Sequence, residues 1–103
     1  MAVERGTRFN TSGSNSFTKV ALNASTSTTI KAEGNDFLHF SVFNPDNQDV
    51  VIKLQAASVD NVKEGLVKLT KGGYWEMTSN QNYLGEICAI AMAGTPDLWV
   101  NKY

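Results

Sequence analysis

Any chemistry in this chain would have to run through very few side chains. A serine or cysteine nucleophile needs a base within hydrogen-bond reach, and the one histidine, His39, sits in the middle of an apolar-patterned strand. The one cysteine, Cys88, lies among Ile87, Ala89 and Ile90, where burial raises a thiol's pKa and makes it inert. A single cysteine also allows neither an intrachain disulfide nor a multi-cysteine metal site. The ten carboxylates fall mostly in turns and single out no pair for glycoside hydrolysis. Asn44-Pro45-Asp46-Asn47-Gln48-Asp49 is rich in oxygen ligands, but it lacks the glycine and the bidentate glutamate of a calcium loop and reads as a turn. Gly72-Gly73 precedes a strand, so it has no helix N-terminus on which to seat a phosphate. The expectation is a non-enzymatic protein with no catalytic residue, metal or cofactor.

Aromatic side chains are the more informative set. Tyr74, Trp75, Tyr83, Trp99 and Tyr103 can stack on sugar rings or anchor a protein interface, and either use leaves part of each ring exposed. Trp75 and Trp99 can equally fill a core while the tyrosines sit at strand ends. The candidate partner-binding residues are Phe9, Tyr74, Trp75 and Tyr83.

The elements that would carry these residues are strands. Residues 1–16 read as an N-terminal arm of small and polar residues, with Phe9 as its large apolar side chain. Residues 17–103 read as one β-sandwich domain. Its first strand carries Phe17, Val20 and Leu22, and the Thr-rich run Ser25 to Ile30 follows. In Phe37 to Phe43, Leu38, Phe40 and Val42 share one face. The five-residue turn Asn44-Pro45-Asp46-Asn47-Gln48 then predicts a hairpin with Val50 to Leu54. Ala56 to Glu64 reads as a loop or one short turn. Gly65 to Thr70 and Tyr74 to Met77 are strands about the Gly72-Gly73 turn, where positive φ costs little. Tyr83 to Met92 is the longest apolar run and a candidate central strand. Leu98 to Tyr103 alternates with period two and ends the chain as a strand. Seven or eight short strands at this spacing predict an antiparallel β-sandwich, jelly-roll or Ig-like.

Bulk properties agree with an interaction protein. The chain has 103 residues, 42% hydrophobic and 18% charged, with a formal net charge of -1. That suits one globular domain. No Lys/Arg run is present to neutralise a phosphate backbone, so nucleic acid is not an expected partner. No apolar stretch is long enough to cross a bilayer as a helix, so no membrane partner is expected either. The expectation is a soluble protein made in the cytosol. A domain of this size buries only roughly 60–70% of its chain surface, so contacts in a homo-oligomer could add to its stability.

Several segments resemble small β-sandwich structural proteins of tailed bacteriophages. These are Phe40-Ser41-Val42-Phe43-Asn44-Pro45 followed by Asp49-Val50-Val51-Ile52, then Gly65-Leu66-Val67-Lys68-Leu69 followed by Gly72-Gly73-Tyr74-Trp75-Glu76. The last is Tyr83-Leu84-Gly85-Glu86-Ile87 with Ala89-Ile90-Ala91. The resemblance spans Asp36 to the C-terminus and leaves the arm unmatched. It implies a virion protein, foremost a capsid decoration or cement protein that binds the major capsid protein or another virion protein on the outer head surface. A carbohydrate- or receptor-binding module of a phage fibre or tail is the alternative.

Overall fold

A computed structural model describes residues 17–34, 39–78 and 83–102. Eight strands run through them: β1 (Thr18–Ala21), β2 (Thr28–Lys31), β3 (His39–Phe43), β4 (Val50–Lys53), β5 (Val67–Leu69), β6 (Tyr74–Thr78), β7 (Ile87–Ala91) and β8 (Asp97–Lys102). A front sheet has the order β1-β8-β3-β6 and a back sheet the order β2-β7-β4-β5. Every pairing is antiparallel. First pairs with last, second with seventh, third with sixth and fourth with fifth, as in one long hairpin folded over itself into two layers. That is the jelly-roll order, which settles the choice against the Ig-like arrangement.

Alternation places the core. Val20 of β1, Phe40 and Val42 of β3, Trp75 and Met77 of β6, and Leu98 and Val100 of β8 point inward from the front sheet. Ile30, Val50, Ile52, Val67, Leu69, Ile87, Ala89 and Ala91 meet them from the back sheet. β7 lies between β2 and β4, so the longest apolar run does form a central strand. The strand is shorter than expected, however: Tyr83–Glu86 lie outside it.

The expected hairpin between the third and fourth strands does not form. β3 belongs to the front sheet and β4 to the back sheet, and the turn between them crosses the sandwich. Asn44, fully buried, holds that crossing. Its Nδ2 donates to the carbonyls of Gln48 and Leu69, both at 2.9 Å, and its Oδ1 accepts from the amide of Asp46. Its main-chain amide donates to the Gly73 carbonyl and its own carbonyl accepts from the Gly72 amide. The β3–β4 and β5–β6 turns are thereby bound together. Gly72 has φ of 83°, a left-handed conformation that glycine adopts without strain.

Candidate functional site

The outer faces of the two sheets are built differently. On the back sheet the outward residues Val51, Lys53, Cys88 and Ile90 are all buried, because the β4–β5 connection, residues 54–66, lies over them. The Lys53 ammonium, 1% exposed, sits at the centre. It donates to Asp60 Oδ1 at 2.9 Å, to the Asp60 carbonyl at 3.3 Å and to the Val62 carbonyl at 2.8 Å. Ser27 adds Oγ to the Asp60 carbonyl and its amide to Asn61 Oδ1, while Glu86 accepts from the Thr29 hydroxyl and the Ala57 amide. The Lys53 hydrogen bond, followed by that from the Val62 amide, holds the Asp60 carboxyl below its ordinary range. The Thr29 hydroxyl, then the Ala57 amide, does the same for Glu86. Burial pushes the Cys88 thiol up, which keeps it protonated and unreactive.

No such cover lies over the front sheet among the described residues. Register aligns Lys19 with Trp99, Trp99 with Phe43, and Phe43 with Tyr74, so one row of outward side chains crosses all four strands. Phe17 stacks on Trp99 with ring centroids 4.4 Å apart and planes at 23°, and Phe43 tilts against the other side at 5.5 Å. Phe17 is 40% exposed and Tyr74 55%. The neighbouring row is polar: Asn101, Ser41 and Glu76 are aligned across β8, β3 and β6. The Tyr74 hydroxyl donates to Glu76 Oε1 at 2.6 Å, and His39 Nε2 lies 3.2 Å from the same oxygen. Ser41 in the middle of this polar row is buried, while Glu76 is exposed and Asn101 half-buried beside the aromatic rings.

The sequence candidates separate on this geometry. Tyr74 stands on the open face. Trp75 turns inward and meets Phe40 edge-on at 6.3 Å. Tyr83 packs against the core and donates its hydroxyl to the Glu86 carbonyl. Phe9 lies outside the described residues. Trp99, Phe43 and Phe17, which complete the row, were legible only indirectly. Leu98 and Val100 point inward, so alternation sends Trp99 outward.

His39 and Cys88 lie on the outer faces of opposite sheets, about 10 Å of packed core apart. They form no nucleophile–base pair. Among the described residues, no three His, Cys, Asp or Glu side chains cluster to hold a metal ion, and no helix is long and apolar enough to cross a membrane. A cleft of about 330 Å³ opens between β1 and β2 over Val20, Ile30 and Val100. At its rim the Lys31 ammonium donates to the carbonyls of Ala32, Gly34 and Gly85. No family model matches the sequence, and neither a curated protein nor a solved structure matches it.

Proposed function

We propose that this protein is a non-enzymatic attachment module that docks on a partner protein through the outer face of its front sheet. The carrying observation is the outward row Trp99, Phe43 and Tyr74, in which Trp99 and Phe43 are half-buried while Tyr74 and the stacked Phe17 are exposed. Exposed aromatics clustered on a rigid sheet are the usual anchors of interfaces. The resemblance stated above makes the outer surface of a virion capsid the partner of choice. The role is then decoration or cement on the assembled head, by a protein made in the host cytoplasm. Repeated copies on a symmetric shell let modest single-site affinity suffice, which favours an oligomer on the particle.

The test is light scattering coupled to size-exclusion chromatography, with and without expanded capsids. Co-elution at fixed stoichiometry that is lost in Tyr74→Ser and Trp99→Ser is the expected result. A free protein that ignores capsids removes the decoration role. The polar row beside the aromatics supports a second reading, in which sugar rings stack on the row and Asn101 and Glu76 bond their hydroxyls. A glycan array, or a shift in tryptophan fluorescence on titration with host polysaccharide, selects that reading instead.

A further inference from the structure

We infer that residues 54–66 form a strap that lifts off as a unit while both sheets stay folded, uncovering Val51, Cys88 and Ile90 on the outer face of the back sheet. Docking through the front sheet, on the opposite side, is independent of this motion.

A cover held by its own packing turns its apolar side chains inward, and this one turns them outward. No residue from 54 to 66 is buried, and Leu54, Val59, Val62 and Leu66 are exposed, the last three by half or more. Polar groups face the sheet instead. One carboxylate oxygen of Asp60 accepts from Lys53 Nζ, Gln55 Nε2 and the Val62 amide, and the Asp60 carbonyl accepts from Lys53 and from the Ser27 hydroxyl. Asn61 accepts from the Ser27 amide, and the Ala57 amide donates to Glu86. The strap is thus tied to Lys53 within β4 and to Ser27 and Glu86 just ahead of β2 and β7. At its end the Leu66 amide donates to the Ile52 carbonyl.

The side chains beneath the strap are separate from those that hold the sandwich together. The apolar cluster between the sheets draws Val50, Ile52, Ile87, Ala89 and Ala91 from β4 and β7, and Val51, Cys88 and Ile90 stand outside it. Strand alternation sends the two sets to opposite sides, so lifting the strap wets one and leaves the other dry. Segments that bury few apolar side chains of their own open below the free energy of global unfolding. Register sets Val51 opposite Ile90 and Lys53 opposite Cys88. The lifted state therefore offers an apolar pair beside an ammonium and a thiol, a surface that the closed protein withholds.

Cys88, the one cysteine of the chain, reports the motion, since it is fully buried when the strap is down. The experiment is labelling of the full chain with a chromogenic aryl disulfide at low urea concentrations, with a synthetic peptide of residues 84–92 setting the rate for an open thiol. We expect labelling slower than the peptide, yet about tenfold faster than the globally unfolded population allows, with a urea dependence well below that of global unfolding. Asp60→Ala unties the strap and should speed labelling about tenfold. Val100→Ala thins the cluster between the sheets, so it should lower the urea midpoint and leave the labelling rate unchanged. Labelling that carries the full urea dependence overturns the proposal, and the wild-type protein alone decides this where a variant fails to fold. Labelling that rises in Val100→Ala in step with the lost stability overturns it too, since Cys88 is then reached only by global unfolding. So does labelling at the peptide rate, which leaves no closed strap, or labelling that Asp60→Ala does not change, which gives the thiol another route.

Discussion

The back sheet hides its outer face under a loop, whereas among the described residues no loop lies over the outer face of the front sheet, on which Phe17 stacks. On the back, a buried ammonium, two carboxylates and a serine secure residues 54–66 over Val51, Cys88 and Ile90. On the front, the equivalent apolar surface is an aromatic row reaching Tyr74 at the edge strand. Large apolar surface left uncovered is costly to solubility and persists where it is used. The contrast gives the back face a stabilising cover and leaves the front face as the one our proposal uses for docking.

The sharpest way to break that contrast is Lys53→Ala. It strands the Asp60 and Val62 carbonyls under the loop, and we expect a loss of about 3 kcal/mol, read as a lower urea midpoint with rapid amide exchange in residues 54–66. Gly65→Ala attacks the same cover sterically, since a Cβ there would stand 2.6 Å from Lys53 Cγ and 2.7 Å from the Ile52 carbonyl oxygen. About 2 kcal/mol should go, by the cost of overpacking, measured in the same unfolding series.

Acid should loosen the back face through Asp60 and Glu86. Their carboxyls are held below the ordinary range near 4, so they stabilise the fold fully above that range and cease to do so as pH falls through their lowered values. Thermal midpoints between pH 6 and pH 2 should fall on the acid side, and Asp60→Asn should flatten that fall. The smallest stability effect belongs to the front. Tyr74→Ser should cost within about 0.5 kcal/mol, as exposed positions do, yet remove partner binding. A Tyr74→Ser variant that unfolds easily would place Tyr74 in the stabilising frame instead.

Much of this plan was legible in the sequence. Alternation in Phe40 to Phe43 and in Leu98 to Val100 gave the inward set, and the apolar run around Ile87 to Ala91 gave a strand buried on both faces. Val50-Val51-Ile52-Lys53 carried the same signal, although its ending in a lysine concealed that the second face was covered. Sheet membership was not legible. Asn-Pro turn chemistry reverses a chain equally well within a sheet and between sheets, and what decides here is Asn44 bonding the Leu69 carbonyl, 25 residues away. Tyr83–Glu86 reads as strand by composition, but Glu86 is drawn off to Thr29 and Ala57. Of the candidate interface residues, Tyr74 was placed on the open face; Trp75 looked equivalent until its register opposite Val42 turned it inward.

The pairing of the first strand with the last has a consequence for timing. Thr18 aligns with Val100, and the aromatic row draws Trp99 from the final strand, Phe43 from the third and Tyr74 from the sixth. β8 must therefore be made before this surface can assemble, and contacts so distant in sequence close slowly. The row comes into being only once β8 has found β3, later than a local turn such as Gly72-Gly73 can close.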